Sequence, residues 1–400
     1  MESSSEPKQR WPSWLIQLAV IRIGGAISGL GVSYWAEEHL ASGAGARFIG
    51  NSSAVANSLE AITALLVGLF LVRAVRFASI FIAVGCSLAA VVASIYPGEG
   101  SLWLIRAADG VLAGLATTSA LSQVLSRANS EPKGARLLVA FESMVIVSFA
   151  LGSVAASLLW RPFASKIFLV TAVLYLVSIF ATHTKPSTRA HTVRPVLPRN
   201  PLFLGVLAMS ASASMWVSQV TFVLTGQKVP GQLFPGLLDK PGVSIVVVTY
   251  LIATGIGLSL WGLVLPKVNV QRGSLVAAVA AIIAPVLLLF SNMSPVADSV
   301  RRVCFGLYLI ALLIQTGLIP TFMAISNRTS NAETAVQLAS ALVVSTAFGS
   351  IIGPLLGGII VANFSFAGLC IGSCILAVLA LAALNSGMRD RHNRVVARSS

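Results

Sequence analysis

The chain has 400 residues, of which 56% are hydrophobic and only 10% charged, and its formal net charge is +14. Mean hydropathy is +0.88. A water-soluble protein of this length has too little interior to hide so much apolar surface, so composition excludes a soluble globular protein and indicates a polytopic membrane protein in a lipid bilayer.

The first ten residues, MESSSEPKQR, are polar and lack the short apolar run and small-residue cleavage site of a removable signal. The first apolar run therefore reads as a true span. A helix needs about 20 apolar residues to cross the bilayer core. Polar or Pro/Gly-rich breaks predict twelve spans: 13–35, 52–73, 77–96, 101–126, 137–160, 163–182, 201–226, 243–266, 273–291, 302–325, 335–361 and 364–385. The expected fold class is all-α, with twelve transmembrane helices in two pseudo-symmetric six-helix bundles. Segment 183–200, HTKPSTRAHTVRPVLPRN, is a basic interruption with three prolines. It reads as a cytoplasmic linker between a bundle over 1–182 and a second over 201–400 that ends in a basic tail.

Charge supports this partition. With the N-terminus inside, the inner segments hold 18 Lys/Arg and the outer loops, Arg301 and Arg302 included, hold seven. That is the bias of the positive-inside rule, with both termini cytoplasmic in a cell (plasma or inner) membrane. The +14 is thus a footprint of topology, and no nucleic-acid partner is expected.

Five ionisable residues fall within the predicted spans: Arg22, Glu60, Arg106, Asp109 and Glu142. An Arg or Asp at the centre of a membrane helix costs about 2.5–3.5 kcal/mol, so such residues face a cavity or pair internally. At about 1.5 Å per residue, Arg22 lies roughly 14 Å from the inner end of its helix, and Glu60 and Asp109 roughly 12 Å from the outer ends of theirs. A proton carrier needs a carboxylate that is neutral in one state and charged in another. Asp109, Glu60 and Glu142 are the candidates, with Arg106 a modulator at i, i+3 from Asp109. The alternative is a static pair bridging helices. Arg22 suits either an anionic substrate or a neighbouring carboxylate.

The second half offers polar and aromatic groups instead. Trp216 and Gln219, with Ser210 and Ser212, are on helix 7, Tyr250 and Thr254 on helix 8, and Gln315 on helix 10; these suit a partly apolar organic substrate or ordinary helix contacts. Gly25/Gly29, Gly110/Gly114 and Gly349/Gly353/Gly357 stand at i, i+4 and permit close helix approach. Pro354 should bend its helix. Cys86, Cys304, Cys370 and Cys374 read as packing residues, and no metal or other cofactor is expected. No clustered nucleophile and base and no Walker A pattern appears, so neither an enzyme nor an ATP-driven pump is expected.

Three patterns recur at a nearly constant offset. GLFLVR at Gly68 returns as GLVLPK at Gly262, Arg106-x-x-x-Gly110 as Arg302-x-x-x-Gly306, and Phe149-Ala-Leu-Gly152-Ser153 as Ala347-Phe348-Gly349-Ser350. Duplication is the reading. With twelve spans and a basic central linker, the chain resembles the major facilitator superfamily over nearly its whole length. Gly68, Arg73 and Arg76 match that family's loop between helices 2 and 3, G-x-x-x-D-(R/K)-x-G-(R/K)-(R/K), while Val72 and Val75 replace its Asp and second Gly. Arg106-Ala-Ala-Asp109-Gly110 resembles the exporters' R-x-x-Q-G with Asp for Gln. The antiporter pattern G-x-x-x-G-P-x-x-G-G is matched by Gly349, Gly353, Pro354, Gly357 and Gly358, but in helix 11 rather than helix 5. The resemblance implies a monomeric secondary transporter that exports a drug-like compound or metabolite in exchange for protons. Uptake or facilitated diffusion is the rival direction, and a non-transporting scaffold the rival class.

Overall fold

The structure, a computed structural model, describes residues 13–70, 75–128, 134–180, 201–226, 240–264, 267–291, 296–318 with Thr321, and 332–399. Among them there is no strand. Helix α1 runs Ser13–His39, α2 Ser42–Phe70, α3 Val75–Ile95, α4 Glu99–Ala128, α5 Gly134–Phe163, α6 Ile167–Phe180, α7 Pro201–Gly226, α8 Lys240–Val264, α9 Val270–Ser291, α10 Asp298–Gln315 and α11 Ala332–Ser399. A 3-10 turn, Ala164–Lys166, joins α5 to α6. Helix α11 breaks at Ser365, whose φ of 56° is a left-handed value. The break divides it at the boundary between the spans expected at 335–361 and 364–385.

Five of the described helical runs are long and apolar enough to cross a bilayer: Ser13–His39, Met144–Phe180, Pro201–Gln219, Val270–Ser291 and Val344–Gly387. The chain is a multi-pass membrane protein. Water is absent around such helices, so backbone polar groups must bond within the segment, which is why the apolar runs are helices. Hydroxyls follow the same rule. Ser33, Ser58, Thr118, Ser153 and Thr254 each donate to the carbonyl four residues earlier in their own helix. A serine or threonine on a membrane helix is therefore no sign of a site by itself.

Helix α2 begins ten residues before the expected span. The stretch GARFIGNSS looks like loop, yet Ala46, Phe48 and Ile49 are buried. Burial against α11 at Ala46 and Gly50, and against Trp35 of α1 and Trp103 of α4 at Phe48, supplies the stabilisation that helix propensity does not. Arg301 and Arg302, expected in an outer loop, lie within α10 as its fourth and fifth residues, with Arg301 buried.

Helix α1 packs on α2, α4, α5 and α6, and α3 on α4 and α6. Helix α7 packs on α11 and α8, α9 on α10 and α11, and α8 on α10. Between these two sets the main seams are α2 against α11 and α5 against α8. Glycines set the closest approaches. A Cβ on Gly349 would lie 2.6 Å from the Ser210 Cβ on α7, and one on Gly152 would lie 2.6 Å from the Ala26 Cβ on α1. The repeated Gly-Ser pair thus does the same work twice, docking α5 on α1 and α11 on α7. Gly110 and Gly114 place α4 against the α2 backbone at Ala56 and Glu60. The Arg-x-x-x-Gly echo does not carry over: Gly306 meets nothing within 4 Å, and Gly257 on α8 forms the α8–α10 contact instead.

Candidate functional site

Two charge clusters lie on α1, α2 and α4, and they differ in access. In the first, the Arg22 guanidinium grips Glu60 across 38 residues of chain. Nη1 donates to Oε2 at 3.2 Å, Nη2 donates to Oε1, and Nη2 also donates to Thr117 Oγ1 at 2.7 Å. Three helices converge here because Gly114 lets α4 approach α2 at the Glu60 backbone. The Arg22 and Glu60 side chains keep 21% and 26% of their surface open. Arg22 Nε is buried with no acceptor among the described residues. An unmet buried donor costs about 1–3 kcal/mol, so the guanidinium is incompletely satisfied.

The second cluster is closed. Asp109 accepts from Arg106 Nη1 at 2.9 Å, from the Ser28 hydroxyl on α1 and from the Tyr175 hydroxyl on α6. The Asp109 side chain is 5% exposed and that of Arg106 13%. Glycines make the room. A Cβ on Gly24 would stand 2.7 Å from Tyr175 Cε1, and one on Gly29 would stand 3.3 Å from Arg106 Nη1. Gly29, expected to bring helix backbones together, clears space for a guanidinium. Three donors on one carboxyl group describe a fixed anchor that ties α1, α4 and α6 together. Tyr175→Phe, which leaves the carboxylate one donor short, should lose about 1–3 kcal/mol of stability. A thermal unfolding midpoint equal to that of the parent would contradict the clasp.

Of the other expected site residues, the Glu142, Gly68 and Arg76 side-chain positions and all of Arg73 lie outside what the structure describes. Gln219 is fully buried and donates from Nε2 to the Ala46 carbonyl at 3.3 Å, while its Oε1 has no partner among the described residues. It belongs to the seam of α2, α7 and α11 rather than to an open cavity. Ser210 is likewise spent on α11, donating to the Thr346 carbonyl at 2.8 Å. Trp216, half-buried, meets Phe366 edge-on at 6.1 Å and packs with Tyr250, Phe149 and Leu251. Gln315 is half-buried at the end of α10. Gly353 and Gly357 press on α7 near Met215, and Pro354 faces Gly50 of α2.

Sequence reading missed Ser28, Thr117, Tyr175 and Gly24. Hydroxyls and glycines abound in membrane helices, and only their crossing to another helix distinguishes these four. Asn57 was missed as well; its amide donates to the Ser350 carbonyl across the α2–α11 seam.

An all-helical membrane protein with charges drawn inward between packed helices is what this architecture defines. Among solved structures, it overlays on the nucleoside transporter NupG with a TM-score of 0.64 at 12% identity, covering 94% of this chain and 98% of that one. A mutant form of NupG gives 0.62 at 11%, covering 94% and 99%. A bacterial homologue of the human lysosomal transporter Spinster, inward-facing and occupied, gives 0.59 at 13%, covering 94% of each chain. The likeness establishes that the chain shares the fold of these transporters. No family model matches the sequence, and no curated protein matches it.

Proposed function

We propose that the chain is a secondary active transporter working by alternating access, which couples proton movement to transport of a small organic compound through the Arg22–Glu60 pair. In this reading it spans a cell membrane twelve times as a monomer, with both termini inside. The bundles over 1–182 and 201–400, joined by 183–200, rock about the seams α2–α11 and α5–α8. One observation carries the assignment. Arg22 and Glu60 form a partly open ion pair between α1, α2 and α4, whereas Asp109 is closed off by Arg106, Ser28 and Tyr175. A coupling carboxylate must meet water and substrate in turn, so Glu60 has the access that Asp109 lacks. Asp109 then serves as an anchor and Arg106 as its fixed partner.

Direction follows from how the pair is shared. If substrate and proton occupy it in turn, the protein exchanges them, the export implied by the resemblance to drug exporters. If they occupy it together, the protein is an uptake co-transporter. A substrate screen in proteoliposomes with an imposed pH gradient tests the coupling. Glu60→Gln should abolish acceleration by the gradient while leaving substrate exchange without a gradient. Parent flux indifferent to the gradient would overturn proton coupling, and no flux of any solute would leave a scaffold.

A further inference from the structure

We infer that the Arg22–Glu60 pair takes an organic anion and a proton together, so that the transported compound is a carboxylate on an apolar, ring-bearing body. This rests on Glu60 as the proton site.

On α1, Arg22 is the nearest ionisable group to Glu60, and Glu37 lies 15 residues beyond it. On α4, Thr117 is the polar neighbour, and Arg106 and Asp109 lie eight or more residues away, already closed on each other. On α2, Arg47 is 13 residues from Glu60. The described side chains of α5, α7 and α11 add no carboxylate or cation at this level. Among the described side chains, which do not include that of Glu142 on α5, the site is therefore neutral with Glu60 ionised.

An entering cation would leave two cations on one carboxylate, beside an Arg that stays charged. An entering anion alone would leave two carboxylates on one guanidinium. An anion with a proton on Glu60 restores neutrality: the substrate carboxylate takes the guanidinium fork that Glu60 gives up. Once the site closes around its occupants, as alternating access requires, an uncompensated charge is the largest available penalty, so the neutral combination wins. Arginine suits the exchange, because its planar fork accepts one carboxylate as readily as another. Binding is then reciprocal, each partner favouring the other. The proton enters from water on one side, stays on a Glu60 oxygen, and leaves with the anion on the other; net charge moved is zero.

The body of the ligand is read from the wall beyond. Ile23, next to Arg22, backs onto α5 at Gly152, and Phe149, a turn away, packs with Trp216 and Tyr250. Aromatic faces fit a ring-bearing ligand body.

The test uses the full chain, purified, with matched sets on one frame: benzoate, benzylamine and benzyl alcohol, then indole-3-acetate, tryptamine and tryptophol. Thermal stabilisation is expected from the carboxylates alone. In weakly buffered solution with a pH dye, about one proton should be taken up per anion bound, and affinity should weaken about tenfold per pH unit on the alkaline side. Glu60→Gln should bind the carboxylate with an affinity that no longer changes with pH and that equals the parent's acid limit, which loss of a merely structural contact would not produce. Arg22→Gln should lose at least about 100-fold in affinity, as expected when a bidentate charged partner is removed. Stabilisation by amines with proton release would overturn the anion and leave Glu60 as the proton site. Stabilisation by alcohols only, or by no carboxylate, would also overturn it. Gradient-driven flux that survives Glu60→Gln would overturn both readings.

Discussion

Asp109→Ala is expected to destabilise the protein by about 3–5 kcal/mol, because removing one member of a buried ion pair leaves the other charge uncompensated. The geometry gives the mechanism. Arg106 would keep 13% exposure without its carboxylate, and the Ser28 and Tyr175 hydroxyls would both lose the acceptor they share. Three helices meet at this one side chain, so the loss falls on the packing of α1, α4 and α6 together. Asp109→Asn keeps the shape but not the charge, and should fall between alanine and the parent. Thermal unfolding of detergent-purified protein, followed by size-exclusion fluorescence, reads this directly. In whatever fraction folds, Asp109→Asn should transport with the parent's pH dependence. A parent-like unfolding midpoint for Asp109→Ala, or a shifted pH profile for Asp109→Asn, would return Asp109 to the coupling mechanism.

The second large effect separates two kinds of glycine. Gly110→Val should largely abolish folded protein, since even a Cβ there would stand 3.0 Å from the Ala56 Cα on the neighbouring helix, with the carbonyl nearer still. Helices α4 and α2 also pack on α1, so the clash cannot be relieved by parting the two helix sets. Gly50→Val makes an equally tight clash, 3.0 Å to the Gly358 Cα, but at the α2–α11 seam. In the proposed rocking the two helix sets part there without either unfolding. The variant should fold, lose transport by at least about tenfold, as interface overpacking of 1–3 kcal/mol requires, and hold the seam apart. Ala46, fully buried in the parent, is the reporter. In a background without reactive cysteines, Ala46→Cys should resist an impermeant maleimide, and adding Gly50→Val should make it label from the side proposed as outside. Equal loss of folded protein in both valine variants would mean that the seam does not open.

The glycine contrast also marks where sequence pattern stops being informative. Gly110 and Gly306 share a motif and an offset, yet one is pressed on a backbone and the other faces open space. Gly152 and Gly349 also share an offset, and both dock equivalent helices. Spacing along a chain says which residues share a helical face. It does not say what that face meets.

Much of the candidate site was legible on local grounds. Apolar length located the helices, because hydrocarbon leaves a backbone no other partners. The rarity and cost of charge in such helices singled out Arg22, Glu60, Arg106 and Asp109, and i, i+3 spacing paired the last two, as the structure has them. Other facts rest on contacts between distant segments. Helix α2 starts at Ser42 because α1, α4 and α11 together bury residues that look like loop. Arg22 meets Glu60 across 38 residues, and Tyr175 reaches Asp109 across 66 through a gap left by Gly24. The sequence by itself determined that this is a membrane-spanning helical protein with charges on its inner helices, since burial of apolar length and desolvation of charge are local costs. Only the tertiary structure decided which carboxylate is clasped and which stays open, because access is a property of how helices pack.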